Sequence, residues 1–316
     1  MTGVQTCALP IFFIFGINIA GGIPAVVENA QSLPGYLTMM TTYDPVAGVE
    51  QPYPIINIIS MIAWGLGYFG MPHILLRFMA IEDEEKLTLS RRVATIWVVI
   101  SLAVAVLIGV IGLAMSDVGA LKTLTGSDSE TIIVQIADLL SKHGILPALL
   151  AGTILAGILA STMSTADSQL LAASSAVSSD LFGDRVAKTG DKKKAMNAAR
   201  FTLLAIAVIA AFIARDPNSS VFGIVSFAWA GFGAVFGPVV LFALFWRRSN
   251  WQGALAGMIS GGAMVFIWKY LVRPLGGVWN IYELLPAFSV SCLMIVIVSL
   301  LTKAPSKEIT EEFDQV

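Results

Sequence analysis

Eight stretches of mostly apolar residues run through this chain, and its charges gather between them. They cover roughly 10–27, 54–80, 93–115, 147–180, 199–214, 221–246, 252–272 and 284–302. About twenty helical residues cross the hydrocarbon layer of a bilayer. In lipid only a helix or a closed barrel satisfies its own backbone hydrogen bonds. The pattern therefore predicts an all-α polytopic membrane protein with about eight transmembrane helices. Composition agrees, since 56% of the 316 residues are hydrophobic and only 13% are charged, where a soluble domain carries about 25%. Disorder, collagen and a disulfide scaffold are excluded on the same grounds. A net charge of −2 and a pI of about 5.7 exclude a nucleic-acid-binding domain.

Two stretches depart from the common length. The fifth is short, and the fourth is long enough to tilt or overrun the bilayer. Residues 130–142 alternate apolar and polar side chains at helical spacing, which predicts a helix lying on the surface. Basic residues set the orientation. With alternating spans and a cytoplasmic C-terminus, fourteen of the 19 Lys and Arg face inside, and Lys122, Lys142, Arg215, Lys269 and Arg273 face outside. The basic loop 185–200 reads as a topology signal, with a lipid-binding patch as the alternative.

The second stretch is no plain lipid-facing helix. It contains WGLGYFGMPH at 64–73, with Gly65, Gly67, Gly70 and Pro72 within eight residues. Gly costs a helix about 1 kcal/mol and Pro about 3. A backbone break of this kind is tolerated at membrane depth only against protein or a water-filled cavity. Discontinuous helices mark solute and ion sites in secondary transporters; the alternative is a proline kink packed on small residues. Trp64, Tyr68 and Pro72 are spaced i, i+4, i+8, and on an unbroken helix would fall within about 80° of one another. They would form an apolar wall with one hydroxyl, suited to a small amphipathic solute. His73 reads as structural.

The fourth stretch carries ASTMSTADSQ at 160–169. At about 100° per residue, with Ser164 at the origin, Ser168 lies near 40°, Ser161 near 60° and Thr165 near 100°. Four hydroxyls on one face suit a monovalent cation, above all sodium, because calcium and magnesium want carboxylates. Hydroxyls also hold membrane helices together, which is the alternative. Asp167 sits to one side of that face, near −60°. An ionisable group inside a span is expensive and functional by default; here it tunes the ion site or anchors another helix.

Other features are quieter. Small residues in AWAGFGAVFGP at 228–238 and in 253–262 give flat faces for close helix contact, favoured over a gating hinge. Cys7 and Cys292 lie near opposite ends of the chain and read as isolated thiols. No Walker A, HExxH, GxSxG or CxxC pattern is present, and the two histidines offer no metal or triad chemistry. The chain is not read as an enzyme, and no cofactor is expected beyond sodium as a coupling ion. Residues 1–11 (MTGVQTCALPI) resemble a translated adapter tail and are read as a non-native leader.

These motifs, with RFMA at 77–80, the Arg91–Arg92 pair, MSTADSQLL at 163–171, FGPVVLF at 236–242, GALAGM at 253–258 and KAPS at 303–306, resemble the sodium/solute symporter family from about Phe12 onward. The resemblance implies a partial LeuT-type fold of five-plus-five inverted repeats. Residues 12–303 would be the C-terminal part of the transporter domain, from the last helix of the first repeat onward. Residues 304–316 would be a cytoplasmic tail, and the upstream helices would be missing. Stretch 54–80 then corresponds to the broken first helix of the second repeat, and 147–180 to its third helix. Sodium would be held by Ser164, Thr165 and the Ser161 carbonyl; Asp167 and Ser168 are expected in support from the helix-face reading alone. The solute would meet Trp64, Tyr68 and Pro72. The implied activity is sodium-coupled import of L-proline across the inner membrane. Another small carboxylate such as pantothenate, a sensor domain and a channel are the alternatives. Met71 departs from the family's frequent Gln, and Ser161 from its frequent Ala; a backbone ligand survives the second change.

Overall fold

The computed structural model describes residues 2–79, 81–83, 85–177, 192–215 and 220–315. In chain order the elements are α1 (Thr2–Ile19), α2 (Ile23–Ser32), β1 (Thr41–Asp44), β2 (Val49–Pro52) and α3 (Ile55–Ala63). A 3-10 helix (Trp64–Gly70), α4 (Pro72–Met79), α5 (Lys86–Asp117), α6 (Ile132–Ser141) and α7 (Ile145–Ala176) follow. The chain ends with α8 (Lys192–Ile213), α9 (Val221–Phe245), α10 (Trp251–Ile267), α11 (Leu284–Leu301) and α12 (Lys307–Gln315).

Among the described residues, five helices are long and apolar enough to cross a membrane: Lys86–Asp117, Ile145–Ala176, Val221–Phe245, Trp251–Leu275 and Leu284–Leu301. A sixth arises if Pro10–Ile19 and Ile23–Ser32 are taken as one span, bent by 74°. That bend falls at Gly21 and Gly22, whose φ values of 94° and 100° suit glycine alone. The other two apolar stretches are helical but shorter, at Ile55–Gly70 and Ala199–Ile213. The helix expected at 130–142 forms as α6, after a 3-10 turn over Gly126–Thr131. The first part of the basic loop 185–200, up to residue 191 and including Arg185 and Lys188, lies outside the described residues, as does the end of the fourth stretch beyond Val177.

The chain divides into two units, Met1–Ser32 with Ser101–Ser220, and Leu33–Ile100 with Val221–Val316. In the first, α1 and α6 pack on α7 and the second half of α5. Phe12, Ile111, Met115, Ile136 and Leu140 form its core. In the second, α9, α10 and α11 pack together and hold the 3-10 helix against α9. Its core is Ala63, Ala230, Ala234, Val265, Leu284, Ala287 and Phe288. Gly253, Gly257 and Gly261 let α10 lie directly on Ser291, Ile295 and Ser299 of α11. The small-residue stripes thus serve packing, as the sequence reading favoured. The hairpin of β1 and β2, with Thr41 opposite Pro52 and Asp44 opposite Val49, had no expectation attached to it. Its turn is held by Asp44, whose Oδ1 accepts from the amides of Val46 and Ala47.

Candidate functional site

The break in the second stretch is present, and its cause is local. A residue before proline is pushed out of helical conformation. Met71, followed by Pro72, is extended at φ −85° and ψ 112°. Pro72 then opens α4, a position where its missing N–H costs nothing. Upstream, Trp64–Gly70 tightens into a 3-10 helix. The i, i+4, i+8 geometry expected of an α-helix therefore does not apply. Four residues of 3-10 helix turn through about 120°, yet Trp64 and Tyr68 both lie against the Trp229 indole, one stacked and one edge-on. Pro72 lies beyond the break and is exposed.

The tightening has a packing reason. A Cβ on Gly67 would strike the Trp229 indole, and one on Gly70 would strike the Phe232 carbonyl and the backbone of Gly233. Glycine on both elements allows main chain to meet main chain. The contact is fixed by the Trp229 indole N–H, which donates to the Trp64 carbonyl at 3.0 Å.

Trp64 is half-buried and stacks near-parallel with Trp229, Phe222 and Tyr282, at centroid distances of 5.5, 5.4 and 5.8 Å. Tyr68 meets Trp229 edge-on at 4.8 Å and is half exposed. Of the three residues singled out in this stretch, only Trp64 lines the neighbouring cavity of about 260 Å³. The same cavity is lined by Phe222, Ser226, Arg273, Asn280 and Tyr282.

Beside this cavity is a polar network. Arg273 Nη1 donates to Glu283 Oε2 at 2.8 Å, and its Nε donates to Asn280 Oδ1 at 3.1 Å. Glu283 is 1% exposed. A carboxylate so buried is costly without a cation beside it. The Tyr282 hydroxyl donates to the Ser226 carbonyl at 2.6 Å, and the Tyr282 amide donates to Ser60 Oγ at 3.0 Å. Burial first, and then the charge of Glu283, push the Tyr282 phenol above its ordinary pKa, while Arg273 acts the other way. The hydroxyl therefore stays a donor throughout the physiological range. Sequence reasoning missed this network. The available signals were an arginine ending one apolar run and a glutamate opening the next.

The hydroxyl set sits on α7 in the first unit. Ser161 is half-buried, and Ser164, Thr165, Asp167 and Ser168 are exposed. Thr165 Oγ1 donates to the Ser161 carbonyl at 3.1 Å, and Ser168 Oγ donates to the Ser164 carbonyl at 2.9 Å. A hydroxyl that spends its proton on the preceding turn keeps its lone pairs free as acceptors. The side chain of His73 lies outside the described set.

Several long apolar helices, one bent span and a helix interrupted at Met71 define a multi-pass helical membrane protein. Residues 4–261 match the profile of the sodium:solute symporter family, and the chain belongs to that family. The match begins eight residues ahead of Phe12. The high-affinity proline transporter PutP of Bacillus subtilis is 41% identical over 261 residues, covering 82% of this chain and 52% of the relative. The sodium/proline symporter of Haemophilus influenzae is 36% identical over 309 residues, 97% of this chain and 58% of the relative. That of Escherichia coli K12 is 41% identical over 259 residues, 82% and 50% respectively. The chain spans about half the length of the curated relatives it matches.

Proposed function

We propose that this chain is the C-terminal part, residues 12–303, of a sodium-coupled L-proline importer of the inner membrane. The observation that carries the reading is the likeness to proline transporters at about 40% identity, across both the interrupted helix and the hydroxyl-bearing helix. The proposed architecture is the LeuT-type inverted repeat, with eight membrane segments here and a leader over residues 1–11. The tail from residue 304 is cytoplasmic, the side that gathers most of the Lys and Arg.

Sodium is held by the Ser164 and Thr165 hydroxyls and the Ser161 carbonyl. Asp167 and Ser168 support that set. The solute contacts Trp64, Tyr68 and Pro72 at the interruption. Helices of the first repeat supply the other half of both sites. Sodium binding favours the outward-open state and completes the solute site, so the two ligands are coupled by differential affinity. Release follows when one helix bundle rocks against the other.

The test is uptake of labelled L-proline by the gene's complete product in a host lacking proline transport. Saturable uptake that requires sodium and resists excess pantothenate supports the reading. Uptake abolished by pantothenate moves the solute to another small carboxylate. Non-saturating flux without sodium overturns a symporter.

A further inference from the structure

We infer that the cavity between Trp64 and Arg273 is an outer docking station for the carboxylate of a small amphipathic amino acid, which it binds before the solute reaches Tyr68. The inference rests on the proposed function for the class of solute and the direction of travel; the geometry of the station stands by itself.

A cavity of about 260 Å³ has room for a small molecule but not for a peptide or a lipid chain. Its walls are of two kinds. Trp64 and Phe222 present stacked ring surfaces. Arg273 and Asn280 line it with polar groups. An apolar lining with one convergent cation is the usual build of a site for a small carboxylate.

Arg273 is arranged as a receptor and not only as a strut. A guanidinium carries five N–H bonds. One is spent on Asn280 and one on Glu283. The rest have no protein acceptor among the described residues. The Arg273 side chain is 41% exposed, while Glu283 behind it is 1% exposed. The guanidinium is thus pinned from the rear and open in front, so little ordering is required when a carboxylate arrives. The fork matches a carboxylate with two parallel hydrogen bonds. The Trp64 and Phe222 rings line the same cavity and suit the apolar part of the same molecule. Glu283 balances the Arg273 charge, and Lys269 interacts with both groups, so the surroundings favour the carboxylate end of a zwitterion. Arg273 and Lys269 belong to the outward-facing basic set, which puts the cavity at the entrance side.

A purely structural Arg273–Glu283 clamp makes the opposite prediction for one variant, and that decides the test. The full 316-residue chain is placed in lipid nanodiscs without sodium, and displacement of labelled L-proline is followed. Wild type should bind saturably, with displacement by L-proline but not by L-prolinol, which has an alcohol in place of the carboxylate. Glu283→Gln keeps a hydrogen-bond acceptor for Arg273 and removes its counter-charge, so affinity should rise severalfold. The double variant Arg273→Gln with Glu283→Gln leaves a neutral hydrogen-bonded pair, which protects folding, and should weaken binding about tenfold. An unchanged gel-filtration profile shows that both variants are folded. Equal displacement by L-prolinol, weaker binding by Glu283→Gln, or a double variant that binds like wild type overturns the station. So does absence of binding, even if sodium-driven proline uptake by the complete product is intact. If pantothenate binds in place of proline with the same dependence on Arg273, the station stands and the solute assignment falls.

Discussion

Two serines illustrate how differently one hydroxyl weighs in this molecule. Ser60 is buried and takes the amide of Tyr282 at 3.0 Å, tying α3 to the start of α11. Ser129 is exposed and bonds only within its own turn. Leaving a buried amide unsatisfied costs about 1–3 kcal/mol, whereas exposed changes usually stay within about 0.5. Ser60→Ala should lower the melting temperature of the purified chain clearly, and Ser129→Ala should not. Equal melting curves would remove Ser60 from the framework. On α7 the expectation concerns ions instead. In the complete product, Ser164→Ala or Thr165→Ala should raise the sodium concentration for half-maximal proline uptake about tenfold, the order of one lost contact to a charge. Apparent proline affinity at saturating sodium should move less. Superimposable sodium activation curves would take those hydroxyls out of the ion site.

The interrupted stretch shows what a sequence does and does not disclose about an element. Glycine density and Pro72 announce a break, because both act through the backbone of their own neighbourhood. The 3-10 geometry is not announced. It depends on Gly67 and Gly70 reaching Trp229, Phe232 and Gly233, more than 160 positions away in the chain. Trp64 and Tyr68 still meet, but through Trp229 and not on one helix face, and of the two only Trp64 lines the cavity beside Arg273. Arg273 and Glu283 escaped notice for a related reason. They lie ten residues apart in irregular chain, where no period links them. Two glycines separate packing from propensity. A Cβ at Gly65 meets nothing, while one at Gly70 meets main chain. Gly70→Ala should destabilise by about 1–3 kcal/mol through overpacking, and Gly65→Ala should be neutral or stabilise slightly. Thermal unfolding of both proteins decides this; similar losses at the two positions would mean that the close approach is not what glycine secures.

At the scale of the whole chain, the apolar stretches were legible because lipid imposes one requirement on every spanning segment. Among the described residues all eight are largely helical, yet five or six pass as spans on length and composition. The difference lies in local breaks in two stretches and in the short apolar length of the fifth, Ala199–Ile213. Gly21 and Gly22 bend the first stretch, and Pro72 divides the second. Orientation has a separate physical origin, the retention of Lys and Arg on the cytoplasmic side. It predicts that the loop between Leu275 and Leu284 is external and that α12 is internal. The two sites offer good reporters, since Val278 is 74% exposed and Ile309 is 56% exposed. In a version with Cys7 and Cys292 replaced by serine, Val278→Cys should react with a membrane-impermeant maleimide in intact cells. Ile309→Cys should react only after permeabilisation. The reverse pattern would invert the molecule, and with it the cavity between Trp64 and Arg273 would open toward the cytoplasm, making it an exit for the solute in place of an entrance.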